Sequence, residues 1–400
     1  VVVSLASQEE PPDLRVTVVT APPAAAWGQA ATLSWTVVNE GPNPARGRWS
    51  DRVYLSQDDM LDAGDVLLAT YDAASKSGLG PGASYTGGAT VAIPTTLAGA
   101  AHLLVVTDAL GSQVESDKTD NVTAASVRLD APDLATAVVT APAAALTGEA
   151  VLVSWRVENV GLAATTVGVW SDRVYLSADE VLGDDIVLGT VAHSGVLAAG
   201  GSYAQVQSLT LPQTLDAGAY WILVEADVLR QAPEAAGESG NVQRSLSPVV
   251  VSLAPVADLA MVLLTHPATG EAGAPLTVGW TVRNDGAAAA AGPWVDRVYL
   301  SLDGTLNGAT LLRERACDGG ILAVGESYTQ SETVTLPNRD DGVFRIVVVL
   351  DAASQVYERN GESNNLAVGA VPLDLTHPDL QVSVAAAPGT AQSGEEVTVS

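Results

Sequence analysis

Near-copies of one short opening constrain this chain more than any local propensity does. Pro12-Asp13-Leu14, Pro132-Asp133-Leu134, Ala257-Asp258-Leu259 and Pro378-Asp379-Leu380 recur about every 120 residues, a fixed period that marks a tandem array of like domains. The same landmarks follow each of the first three openings in the same order. An alternating stretch centred on a tryptophan (33–37, 153–157 and 278–282) runs into an Asn-x-Gly turn at Asn39, Asn159 or Asn284. A Trp-x-Asp-Arg-Val-Tyr-Leu-Ser segment begins at Trp49, Trp170 or Trp294, then come an acidic loop and a final hairpin.

Short runs of period-two alternation, separated by Gly, Pro, Asn and Asp, read as strands and turns, and no helical period interrupts them. The fold class is therefore all-β: tandem Ig-like β-sandwich modules of about seven strands each, arranged as an elongated rod on the order of 100 Å long. Hydrophobic residues make up 47% of the chain and aromatic ones only 4%, so the cores draw on small and β-branched side chains. Trp35, Trp155 and Trp280 are expected to be buried as core anchors. The landmarks place modules at 11–130, 131–255 and 256–375, with 1–10 as the last strand of a preceding module plus linker and 376–400 as the start of a fourth. Residues 1–6 duplicate 249–254, so the array is expected to continue in both directions.

These motifs resemble the CARDB domain, the cell-adhesion-related module found in bacteria. The likeness rests on the Pro-Asp-Leu opening, the Asn-x-Gly turn, Asp-Arg-Val-Tyr-Leu-Ser, the Leu-Pro strand ends at Leu211-Pro212 and Leu336-Pro337, and the Glu362-Ser363-Asn364-Asn365 close. The first module departs from that close, with Thr119-Asp120-Asn121, and the third opens on Ala257 in place of proline. The resemblance implies an Ig-like sandwich in large secreted or surface-anchored bacterial proteins, often adhesins, without catalysis of its own. It supplies no ligand.

Composition narrows the partners. A net charge of −28 repels nucleic-acid phosphates and anionic membranes, so no nucleic acid is expected, and no apolar run is long enough for a membrane segment. Cys317 is the sole cysteine, which rules out an intrachain disulfide and a cysteine zinc cluster. It stands beside Asp318-Gly319-Gly320 and reads as a loop thiol. The four histidines occupy unrelated module positions, and no nucleophile–base set appears, so the chain reads as not an enzyme.

Two acidic clusters are the candidate sites, as calcium ligands. The first follows the Tyr-Leu-Ser strand: Asp58, Asp59, Asp62 and Asp65, then Asp179, Glu180, Asp184 and Asp185, thinning to Asp303 and Asn307 in the third module. Carboxylates in a turn supply the roughly six to eight oxygens that Ca²⁺ takes, but Asp and Asn also form tight turns unaided. The second straddles the last hairpin: Asp108, Glu115 and Asp120; Asp227, Glu234 and Glu238; Asp351, Glu358 and Glu362. The two clusters fall at opposite ends of an Ig-like module, so ions bridging successive modules would stiffen the array.

Two other repeated sets are weighed. In Asp51-Arg52, Asp172-Arg173 and Asp296-Arg297 the arginines are weighed as ligand contacts and read instead as solvent-face residues paired with cross-strand acids. Tyr54, Tyr175 and Tyr299 with Trp49, Trp170 and Trp294 would suit sugar stacking if exposed, and a packed role otherwise. The leading function is a spacer or stalk in an extracellular or cell-surface bacterial adhesin or filament, possible partners being neighbouring modules, other copies of the chain and surface glycans. A glycan- or protein-binding module, and accessory domains of a secreted enzyme, are the alternatives.

Overall fold

The computed structural model describes residues 10–235, 237, 240–317, 320–379 and 381–400. The opening strand 1–6, Glu238, Asp318-Gly319 and Leu380 named above lie outside them. The chain divides after Leu253 into two compact units, the first holding two sandwiches and the second holding the third.

In the first module the strands are β1 (Leu14–Thr20), β2 (Ala24–Ala26), β3 (Ala30–Asn39), β4 (Ser50–Ser56), β5 (Val66–Asp72), β6 (Ser84–Ala92), β7 (Gly99–Val106) and β8 (Val122–Asp130). One sheet has the order β1-β3-β6 and the facing sheet β2-β8-β7-β4-β5. All pairs are antiparallel except β2 with β8, where Ala24, Ala25 and Ala26 pair in parallel with Arg128, Leu129 and Asp130. The count is eight rather than seven because β2 is a continuation of β1 that has crossed to the other sheet.

Alternation does the sorting. Along β3, Ala31, Leu33, Trp35, Val37 and Asn39 face inward, and Trp35 is 1% exposed. Its counterparts Trp155 and Trp280 are equally enclosed, as their flanking valines and leucines predict. The second and third modules repeat the plan, with parallel pairing of Ala144–Leu146 to Val249–Ser252 and of Thr269–Glu271 to Leu373–Thr376. Each module has its own hydrophobic core.

Among the described residues from 377 onward no strand forms, yet Ala386 and Ser400 exchange backbone hydrogen bonds of 2.9 and 3.1 Å. Aligned on Asp13 and Asp379, that pair occupies the register of Thr20 and Ser34, the β1–β3 contact of the first module.

Each Asn-x-Gly turn is a buried hub. Asn39 Oδ1 accepts the N–H groups of Asp13 and Gly41, while its Nδ2 donates to the carbonyls of Asn43 and Leu79. Asn159 and Asn284 do the same in their modules. The glycine two residues on has no room for a side chain: a Cβ at Gly161 would lie 2.5 Å from the backbone of Ala131 and Asp133.

Candidate functional site

The first acidic cluster forms turns. Asp58 Oδ1 accepts the N–H of Met60, Asp62 Oδ1 that of Gly64, and Asp65 Oδ2 that of Asp62. In the second module Asp179 holds Val181 and Asp185 holds Gly183, while Asp184 is exposed. Asp303 holds Thr305 through both its N–H and its hydroxyl. Short side chains accepting backbone N–H groups two or three residues away are how Asp shapes a loop.

The repeated aspartate and first glutamate of the second cluster are bonded within their own module. Asp108, Asp227 and Asp351 have φ of 41°, 45° and 39°, a left-handed conformation that aspartate tolerates. Each carboxylate accepts two N–H groups, from Ser112 and Gln113, from Gln231 and Ala232, and from Gln355 and Val356. Glu115 then reaches across the sequence to accept the Leu14 N–H at 2.8 Å. Glu234 accepts from Leu134 and Glu358 from Leu259, both at 2.9 Å. The glutamate thereby straps the first strand to the last hairpin, and Asn121, Asn241 and Asn365 donate to its other oxygen.

Burial pushes the Glu115 carboxyl up, and it pushes Glu358 up to about 7, with the charges of Glu362 and Asp258 adding to the effect. Asp120 is raised too, by burial and by the charges of Asp13 and Asp117. Among the described residues, no group of three or more His, Cys, Asp or Glu is arranged to hold a metal ion.

The aspartates of the Asp-Arg pairs have a role that the sequence reading did not assign. Asp51, Asp172 and Asp296 are fully buried, not on the solvent face. Asp51, Val53 and Leu55 alternate onto one side of β4, continuing from Trp49 just before it, and that side is the core. Burial raises all three carboxyls, and hydrogen bonds offset part of the cost. Trp35 Nε1 donates to Asp51 at 2.8 Å, the Tyr85 hydroxyl donates at 2.8 Å, and the Thr107 hydroxyl at 2.9 Å. Trp49 Nε1 closes the chain by donating to the Tyr85 oxygen at 3.1 Å. The same Trp–Asp–Tyr–Trp relay links Trp155, Asp172, Tyr203 and Trp170, and then Trp280, Asp296, Tyr328 and Trp294. Ala226 and Leu350 stand where the first module has Thr107.

Trp49, Trp170 and Trp294 are therefore core residues, and alternation puts Tyr54, Tyr175 and Tyr299 on the opposite face. They do not combine into a sugar-stacking platform. The arginines do lie outward: Arg297 meets the cross-strand Glu314 at 2.8 Å, and Arg173 meets Thr190 at 3.2 Å.

One position beside the relay changes from module to module. It holds Ala73, His193 and Cys317, each aligned with the first tryptophan of the Trp-x-Asp strand. His193 stacks on Tyr203 at 3.9 Å and tilts against Trp170 at 4.0 Å between ring centres, and its Nε2 meets the Gly195 carbonyl. Cys317 ends the strand Thr310–Cys317 and is no loop thiol. Its sulfur lies 3.7 Å from Asp296, and burial followed by that neighbouring charge pushes the thiol up to about 12.

The family model named CARDB matches residues 11–125 and 256–368, more than half of the chain. The chain belongs to the CARDB family. The module between the matched segments carries the same relay, hub and strap. Among solved structures, the chain is similar to a CARDB domain from Pyrococcus furiosus crystallised in complex with di-metal ions, at 21% identity over 30% of this chain and 94% of that one, with a TM-score of 0.24. A solution structure of the same domain gives 22% identity over 30% and 96%, also at 0.24. Red sea bream transglutaminase is similar at 13% identity over 61% of this chain and 31% of that one, at 0.21. No curated protein matches. CARDB domains are associated with bacterial surface proteins, and among the described residues no helix is long and apolar enough to cross a membrane.

Proposed function

We propose that these CARDB modules are a spacer or stalk in a large extracellular bacterial adhesin or surface filament, supplying reach and carrying no reaction of their own. One observation carries this reading. The polar residues repeated in all three modules are consumed inside the module that bears them: the relay aspartates, the hub asparagines, and the strap glutamates with their aspartates. What repetition preserves is a self-sufficient folding unit, and a series of such units produces length. Small-angle scattering of the 400-residue chain tests the proposal. A maximum dimension on the order of 100 Å or more supports it, and a compact particle overturns it.

Calcium binding is a second reading, favoured by one detail of the first module. Asp13 Oδ1 and Asp120 Oδ1 are buried with no hydrogen-bond partner among the described residues, and Asp120 feels the charge of Asp13. A cation there would relieve the repulsion and stiffen the strap. Titration calorimetry with calcium chloride decides it, and absence of binding heat together with an unchanged melting temperature removes this reading.

A further inference from the structure

The sequence contains two Asn-Gly pairs, Asn307-Gly308 and Asn360-Gly361, both in the third module. Such a pair is intrinsically reactive, because glycine leaves the following backbone nitrogen open to the asparagine side chain. The fold treats the two differently. Asn307 and Gly308 are exposed at the tip of the loop after the Trp294–Ser301 strand, in a turn closed by the Ala309 N–H donating to the Leu306 carbonyl at 3.3 Å. Gly308 has φ of 68° and nothing within 4 Å of where a Cβ would stand. Among the described residues, neither the Asn307 side-chain amide nor the Gly308 N–H has a hydrogen-bond partner. At the second pair the Gly361 N–H donates to the Glu358 carbonyl at 2.9 Å, inside the short helical turn Gly361–Asn364. Gly361 is also crowded, since a Cβ there would meet Asp258 at 2.8 Å.

We propose that Asn307 is a site of spontaneous self-modification: its side-chain amide converts to a carboxylate while that of Asn360 is held inert by the fold. The Gly308 backbone nitrogen, having lost its proton to solvent, attacks Cγ of Asn307. A carbon–nitrogen bond forms to give a cyclic imide, and the side-chain nitrogen departs as ammonia. Water then opens the imide at one of its two carbonyls, leaving either an aspartate or an isoaspartate whose main chain runs through the former side chain. Both products carry one more negative charge.

The place of that charge gives the reaction its interest. The corresponding loops hold Asp58, Asp59, Asp62 and Asp65 in the first module, and Asp179, Glu180, Asp184 and Asp185 in the second. The third begins with Asp303 as its one acid, so conversion of Asn307 would bring it toward the others with age. The isoaspartate form also adds a backbone carbon three residues before the strand Thr310–Cys317.

The test is peptide mapping by mass spectrometry on the full chain, held folded in mildly alkaline buffer at physiological temperature and sampled over weeks. The peptide with Asn307 should gain the mass of an amide-to-acid conversion and split into two chromatographic forms. Its rate should exceed that at Asn360 by on the order of tenfold or more. In denaturant, where only local sequence acts, the two sites should converge in rate. Equal rates in the folded chain, faster conversion at Asn360, or no conversion at Asn307 would each overturn the proposal. So would a gap of the same size in denaturant.

Discussion

The indole N–H of Trp35 donates to the carboxylate of Asp51 at 2.8 Å, from a strand of one sheet to a strand of the other. The bond therefore runs across the middle of the sandwich, where packing alone holds most such folds together. Trp155–Asp172 and Trp280–Asp296 repeat it at 2.8 and 2.9 Å. A carboxylate in that place fixes how the two sheets face each other, because its donors come from both of them.

Removing it should be costly. Asp172→Ala leaves the Trp155 N–H and the Tyr203 hydroxyl buried without their acceptor, and should cost roughly 3 kcal/mol or more. Asp172→Asn keeps an acceptor oxygen and should cost less than half of that. Denaturant unfolding followed by tryptophan fluorescence measures both, and equal losses would show that the bonds contribute little.

The strap of the third module should respond to pH. Glu358 has its pKa raised from 4.5 to about 7, so the folded state holds this proton more tightly than the unfolded chain does. The resulting stability is fully present below about 4.5 and is lost as pH rises through about 7. Melting of the third module should therefore be higher at pH near 5 than near 8, by roughly 2 kcal/mol from this group. Glu358→Gln should flatten that dependence, and an unaltered slope in the variant would assign the effect to other groups.

Asp120→Asn should stabilise the first module. In the third module Asn364 stands at this place and donates to Asp258 at 2.8 Å, whereas Asp120 confronts Asp13 with like charge. The substitution exchanges a repulsion for a hydrogen bond, worth about 1 kcal/mol near neutral pH. A melting temperature that does not rise would refute it.

Gly161→Ala should destabilise the second module by roughly 3 kcal/mol, since the added carbon would lie 2.5 Å from backbone atoms of 131–133 that the hub holds in place. A circular-dichroism melt is sufficient, and a near-silent change would mean that the turn yields.

Cys317 should resist thiol reagents in the folded chain at neutral pH, because a thiol pushed up to about 12 supplies almost no thiolate. Labelling with a chromogenic disulfide should be slow before denaturation and rapid after it. Fast native labelling would contradict the buried setting beside Asp296.

The sequence showed the module register, the strand alternation and the burial of Trp35, Trp155 and Trp280, because those depend on neighbours two residues apart or on plain repetition. The inward face of Asp51 was legible by the same rule, since it shares parity with Val53 and Leu55, but no local pattern names the Trp35, Tyr85 and Thr107 donors that it meets. The strap was not legible. Glu115 and Leu14 are 101 residues apart, and local spacing says nothing about which backbone N–H a hairpin glutamate will meet. Nor was the shared place of Ala73, His193 and Cys317, three unlike residues that only the pairing register brings into line.

The parallel pairing of β2 with β8 has a mechanical consequence. β2, which continues β1, runs the same way as the last strand β8, so the chain enters the module near one pole and leaves it near the other. A pull on the two ends acts along those strands in opposite directions, and it loads their hydrogen bonds together in shear instead of peeling them one at a time. The same parallel pairs in the second and third modules give each sandwich that resistance to tension.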